Sequence, residues 1–269
     1  MQIDGTGAIV LDLEKMLKRD PISDRGISVI LPVHNEAETL SEAIARISGL
    51  LDEKSRGYEI IIVNDGSADQ TGTHAEQFAT ENKHIHLLAH SRRLGAGAAL
   101  RTGFRAAKYP LVLQLDRPRQ FDHEVFKRLI QGIDEVDMVC GYRQRQSGSG
   151  FPWRYWLYRT LLRLVFGVHI RDVDSGIRLY RRAALRRITI QSDGHLAGAE
   201  IIAKATLMNM LIGEVAIGLA PINYDVSEPV FDEAVQLFRH PQFRASNAAA
   251  DSADAVSGGS PRATRREGN

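Results

Sequence analysis

Two short apolar runs, separated by one helix's worth of chain, constrain this sequence most. Ile27-Ser28-Val29-Ile30-Leu31 leads into Pro32-Val33-His34-Asn35-Glu36, and Ile60-Ile61-Ile62-Val63 leads into Asn64-Asp65-Gly66-Ser67-Ala68-Asp69. Both runs are β-branched and non-alternating, the pattern of a strand covered on both faces. Both end abruptly in polar, turn-forming residues, and helix-like stretches follow. Units of this kind pack as a parallel sheet, and open α/β sheets bind ligands in the crevice beyond the carboxyl ends of their strands. Glu36 and Asp65 are therefore expected to look into one cleft, and a small-molecule site is the leading expectation.

The alternation continues. Strands are expected at 27–31, 58–63, 85–89, 111–115 and 137–140, with helices at 38–52, 70–81, 96–107 and 122–132. Thr39, Ser41 and Asp122 are candidate helix starters, because their side-chain oxygens can accept from free backbone N–H groups. This order argues for an α/β fold with a parallel sheet and helices on both faces. Residues 1–26 read as a leader in which Ile9, Leu13, Met16 and Leu17 form a short amphipathic helix ended by Asp20-Pro21. Past residue 141 the pattern changes. Gln144 to Gly150 is a polar Gly/Ser loop, 152–167 is basic and amphipathic, 195–211 reads as a helix and 214–224 as one or two short strands. The folded domain is expected over 27–224. The extension 225–269 turns to Ala, Ser, Asp and Gly from Arg244 on, too little apolar matter to offset its ordering entropy.

The 269 residues suit one large α/β domain or two small ones. A formal net charge of +1 supplies no field that would recruit nucleic acid. No stretch reaches the ~20 apolar residues of a membrane span, and Asp4, Asp12 and Glu14 interrupt the N-terminus where a signal peptide would be apolar. A cytoplasmic protein is expected, peripheral to a membrane at most. The single cysteine, Cys140, has no partner for an internal disulfide and reads as a small core residue of the strand Asp137-Met138-Val139-Cys140.

Three clusters invite sharper readings. Gly95-Ala96-Gly97-Ala98-Ala99 suggests a dinucleotide fingerprint, but it follows the third strand rather than the first. A helix start packed closely on another backbone suits it better, and its amides can also meet an anion. His84, His86 and His90 have no Cys or carboxylate cluster beside them, so solvated strand-edge histidines are the plainer reading than a metal site. Asp116 ends the run Leu111-Val112-Leu113-Gln114-Leu115, suited to hold a cation or a sugar hydroxyl. Arg117 and Arg119 beside it are either a surface salt network or a phosphate clamp, since guanidinium matches phosphate geometry.

Five segments in order, Ile27–Leu40, Val63–Thr71, Gly95–Gly103, Leu113–Phe121 and Asp172–Tyr180, together resemble family 2 glycosyltransferases of the GT-A fold, whose sheet is Rossmann-like and mostly parallel. The polyprenyl-phosphate (dolichyl-phosphate) sugar transferases are the nearest resemblance, over 27–224. The resemblance implies that Pro32, His34 and Glu36 bind the base and ribose of a nucleotide-sugar donor, UDP- or GDP-linked. Val63 and Asp65 match the second nucleotide loop, with Asn64 where an Asp is frequent. Arg143 of Gly141-Tyr142-Arg143 matches an element that reaches the diphosphate or the acceptor phosphate. Asp174 and Arg178 match the acceptor side.

Two positions depart from that pattern. The family's metal motif is Asp-x-Asp, often followed by x-Gln; Asp116 and Gln120 match, and Pro118 takes the second Asp position. A divalent Mg²⁺ or Mn²⁺ is thus implied on a weakened site, and metal-independent turnover is the alternative. The Arg-rich C-terminal element has no counterpart in Pro221–Ser227. The implied chemistry is inverting displacement at the anomeric carbon, in which the leaving diphosphate needs cationic stabilisation; Arg117 and Arg119 are candidates to share that task. A lipid phosphate acceptor is already ionised, whereas a hydroxyl acceptor would need Asp174 or Glu200 as base. Glu200 reads equally well as a solvated helix residue. Trp153, Leu157, Leu161, Leu164 and Val165 share a helical face opposite Arg159 and Arg163, so 152–167 either lies in a membrane interface or packs on the domain. Against the transferase stand a non-catalytic relative that binds nucleotide sugars or regulates, which Pro118 motivates, and a dinucleotide oxidoreductase.

Overall fold

The computed structural model describes residues 2–3, 9–10, 25–54, 57–116, 118, 121–144, 160, 162–164 and 167–219. A two-residue antiparallel ladder opens it, β1 (Gln2–Ile3) against β2 (Ile9–Val10). Ile9 is therefore extended and not helical; the rest of the expected leader helix lies outside the described residues. The main sheet follows with β3 (Ile27–Val33), β4 (Tyr58–Asp65), β5 (Ile85–His90), β6 (Leu111–Leu115), β7 (Met138–Gln144), β8 (Ile177–Arg181) and β9 (Ile212–Leu219). Its order is β5-β4-β3-β6-β8-β7-β9. β8 alone runs against its neighbours; every other pairing is parallel.

Side-chain alternation in these strands feeds two separate cores. Ile27, Val29, Leu31 and Val33 of β3 point to one face, where α1 (Ala37–Lys54) lays down Leu40, Ile44, Ile47 and Leu51 at helical spacing. α2 (Thr71–Glu81) and α4 (His123–Gly132) cover the same face through Ala75, Phe126 and Leu129. Ile30, Ile61 and Val63 point to the other face, under α3 (Ala96–Ala106) and α6 (Ala197–Leu207). A four-residue helix, α5 (Arg182–Leu185), continues β8. Each large aliphatic side chain of these layers, cut to Ala, should cost about 2–5 kcal/mol.

Asp122 starts α4 as expected, its carboxylate accepting from Val125 N at 2.8 Å. Thr39 does not cap: its hydroxyl bonds back to the Glu36 carbonyl, and Ser41 sits inside α1. Cys140 is fully buried, and burial pushes its thiol up to about 12, which keeps it protonated and inert. In the main sheet the strand that periodicity did not suggest is β8. It carries Arg178 at an inward position, a residue type almost never found buried without a partner.

Candidate functional site

β4, β3 and β6 are adjacent and parallel, so their carboxyl ends share one edge of the sheet. That edge carries the loop after β3 with Glu36, the end of β4 with Asp65, and Asp116 just past β6. The first two loops are tied together. Asn35, held at φ 55°, donates from its backbone N to Ser67 Oγ and accepts at Oδ1 from Ala68 N. Glu36 N donates to Thr71 Oγ1 at 2.8 Å and Ala37 N to Asp69 Oδ2 at 3.2 Å. The His34 ring meets the Asp65 carbonyl at 2.8 Å. Asn64 builds the turn itself, accepting from Ser67 N at 3.1 Å. Backbone strain at Asn35 is thus held in place by bonds on both sides, as rigid ligand rims require.

Asp65 is buried and its carboxylate points along the edge towards β5. Oδ1 accepts from Leu94 N at 2.8 Å and from His90 Nδ1 at 2.7 Å, and Oδ2 from Gly95 N at 2.8 Å. Burial works to raise its pKa, yet the His90 bond, the two amides and the imidazole's charge outweigh it and hold the carboxyl below its ordinary value. His90 is therefore not the solvated edge residue expected; its side chain is only 10% exposed, and its Nε2 reaches Thr102 Oγ1 at 2.9 Å. His86 keeps 43% of its side chain exposed, and His84 stacks on Tyr58.

The glycine cluster packs as expected for a close backbone approach. Gly97 N donates to Asp193 O at 2.8 Å, and a Cβ on Gly97 would sit 2.1 Å from Ser192 O. With Gly95 N taken by Asp65 and Gly97 N by Asp193, these amides are not open to an anion.

Asp116 is anchored by its backbone N to Gly176 O at 2.8 Å, and its Oδ2 accepts from Gln114 Nε2 at 2.7 Å. Gly176 has φ +69°, and a Cβ there would lie 3.0 Å from Asp116 Cβ, so only glycine allows this contact. Gln114 in turn accepts from the Tyr180 hydroxyl at 2.7 Å. Gln114 and Tyr180 were given no role above. The available signal was a lone amide inside the apolar run of β6, which must find a partner when buried.

Several expected site residues sit elsewhere. Val63 is wholly buried beneath α3, so its side chain does not line the crevice; Pro32 is half-buried beside it in the ladder. Arg143 is buried in a two-pronged pair with Asp172 (Nε–Oδ2 2.6 Å, Nη2–Oδ1 2.7 Å), which ties β7 to the turn carrying Asp174. Arg178 does not line an acceptor surface. It is 1% exposed, its guanidinium donating to the carbonyls of Val173 and Gly198. Glu200 is neither solvated nor placed as a base: it bonds Lys204 Nζ at 2.6 Å and accepts from Gln191 N and Ser192 N, with no exposed side-chain surface. Asp174 is half-buried. Arg117, Arg119 and Gln120 lie outside the described residues, as do Pro221–Ser227 and most of 152–167. From that segment, Leu162 is buried in the second core and Leu164 is 79% exposed.

The mostly parallel sheet, with Glu36, Asp65 and Asp116 at the carboxyl ends of three adjacent strands, has the GT-A arrangement. Solved structures share it. Glucosyl-3-phosphoglycerate synthase from Mycobacterium tuberculosis, crystallised with Mn²⁺, UDP-glucose and glycerol 3-phosphate, superposes with a TM-score of 0.61 at 21% identity over 80% of each chain. Residues 28–189 match glycosyl transferase family 2, and the chain belongs to that family of enzymes. Among characterised relatives, undecaprenyl-phosphate mannosyltransferase of Micrococcus luteus is 27% identical over 203 residues, 71% of this chain and 82% of that protein. Polyprenol monophosphomannose synthase of Mycolicibacterium smegmatis is 28% identical over 74% of this chain and 79% of its own. Dolichyl-phosphate beta-glucosyltransferase of Dictyostelium discoideum is 28% identical over 81% and 73%.

Among the described residues the side chains do not by themselves fit a divalent cation. Among the described residues no three His, Cys, Asp or Glu side chains group as a metal site. Pro118, buried at the second Asp position, offers no ligating side chain, and Asp116 shares Oδ2 with Gln114. Among the described residues no helix is long and apolar enough to cross a membrane.

Proposed function

We propose that this enzyme moves a sugar from a UDP- or GDP-sugar to a polyprenyl phosphate by inverting displacement. The observation that carries the reading is the shared carboxyl edge of β4, β3 and β6, with its two rim loops bonded into one unit. The acceptor class rests on the activities named for the Micrococcus, Mycolicibacterium and Dictyostelium relatives. In the reaction a phosphate oxygen of the lipid attacks the anomeric carbon, the bond from that carbon to the donor diphosphate breaks, and a nucleoside diphosphate leaves. The acceptor is ionised at neutral pH, so no base is required of Glu200, which is buried in a salt bridge. The rim of 34–37 and 65–71 holds the nucleotide, and Asp116 works at the sugar–diphosphate end. Arg117 and Arg119 supply positive charge beside it, where the second acid of the motif is missing.

The test is turnover of radiolabelled UDP-glucose and GDP-mannose on undecaprenyl phosphate in vesicles, with and without EDTA. Labelled lipid is expected from one donor, with at least half the rate surviving EDTA. A rate abolished by EDTA and restored by Mn²⁺ would reject the arginine role and leave the transferase standing. Pro118 favours a second reading, a nucleotide-sugar-binding relative without turnover. A donor that raises the melting temperature by mass action, yet yields no labelled lipid under any metal, would select it.

A further inference from the structure

Asp116 is supported from behind by a chain of side chains lying out of water. Gln114, Tyr180 and Arg178 are each 1% exposed. They come from two antiparallel neighbours, in the register Val112↔Tyr180 and Gln114↔Arg178. Gln114 Nε2 donates to Asp116 Oδ2, and Gln114 Oε1 accepts from Tyr180 Oη, both at 2.7 Å.

The chemistry of each group sets the direction of this chain. A carboxamide can sit either way round, but an ionised carboxylate only accepts, so Asp116 selects the NH₂ end of Gln114. That leaves Oε1, a carbonyl oxygen that only accepts, so the phenol donates to it. Arg178 lies two residues before Tyr180 on the same face of β8. Its guanidinium is fixed by the Val173 and Gly198 carbonyls, its Nε is buried with no acceptor, and its charge bears on Tyr180. A positive charge acting on the phenol favours the same orientation, with the proton on the Gln114 side. Burial raises the Tyr180 pKa even against Arg178, so the hydroxyl stays a neutral donor. Each link thus polarises the next in a low-dielectric interior.

The geometry assigns Gln114 and Tyr180 as positioning residues that hold Asp116 in one orientation towards the donor, with the Asp116 carboxylate setting the sense of the relay. This rests on the reading above that Asp116 acts on the donor. Gly176 completes the support by bonding the Asp116 backbone and leaving room for its side chain.

Tyr180→Phe tests it, since only the hydroxyl is lost and the edge-to-face contact with Phe104 remains. Gln114→Leu removes the middle link. Both full-length variants, the double variant and Asp116→Asn are assayed with UDP-glucose and GDP-mannose on undecaprenyl phosphate vesicles, alongside thermal melts. Each relay variant should lose about tenfold in kcat, the scale of one hydrogen bond to a charged group, with donor KM within about twofold of the parent. The double variant should be no slower than Gln114→Leu, because links in series do not multiply. Parental kcat in Tyr180→Phe, or losses that multiply in the double variant, overturn the relay. So does a lowered melting temperature with unchanged kcat, the mark of a purely structural role. If Tyr180→Phe does not fold, the split between kcat and KM in Gln114→Leu decides alone. Asp116→Asn separates the levels. Parental activity there sinks the reading of Asp116 itself, whereas an inactive Asp116→Asn with fully active relay variants sinks only the relay.

Discussion

Asp65 was visible in the sequence as an acid ending a buried strand; what it touches was not. Its partners His90, Leu94 and Gly95 come from the next rim, and a hydrogen bond across 25 residues leaves no local pattern. The three N–H groups hold its carboxyl below the ordinary value despite burial. A depressed folded pKa means that stability is present above the unfolded value and lost as pH falls through the folded one. The loss should therefore begin below about pH 4, near the unfolded carboxyl, and finish at still lower pH. Asp65→Asn keeps one acceptor oxygen and turns an NH₂ on a donor. It should cost about 1–3 kcal/mol at pH 7 and flatten the acid limb of a urea-unfolding series. An acid limb as steep as the parent's would show that Asp65 contributes nothing to it. Gln114 belongs to the same lesson: an amide within an apolar run announces a partner without saying which.

At the scale of elements, six strands of the main sheet and five helices were readable, because each is built from local periodicity. β8 was not, because Arg178 and Tyr180 occupy its inward positions and obscure the apolar pattern. α6 was readable as a helix, but its polar face was misjudged. Glu200 and Lys204 share a face one turn apart, and that face is buried on the 189–192 segment instead of solvated. Glu200→Ala would strand the Lys204 ammonium in the interior and free two backbone N–H groups. The expected loss is about 3–5 kcal/mol, or roughly 6–20 °C in melting temperature at about 2–4 °C per kcal/mol. A melt within 2 °C of the parent would contradict it. Because α6 supports the loop under Gly95 and Gly97, the same variant should loosen the loop that holds Asp65.

Across the whole molecule, strand order brings Glu36, Asp65 and Asp116 to one edge although they are far apart in the chain. Within the basic segment, Leu162 is buried in the second core while Leu164 is exposed, so residues 162–164 pack one apolar side chain on the domain and leave another open. Flotation of the full chain with vesicles containing anionic lipid is expected at low salt, with loss at high salt; Leu164→Glu should weaken it severalfold. A chain that stays at the bottom of the gradient at low salt would leave that segment a packing element only. The sequence alone determined the α/β alternation, the family and the strand-end acids, since apolar periodicity and turn chemistry act over a few residues. Only the tertiary structure decided which acids face outward and which are engaged from behind. Hydrogen bonds and charge burial depend on neighbours that the sheet order, and not the chain, brings together.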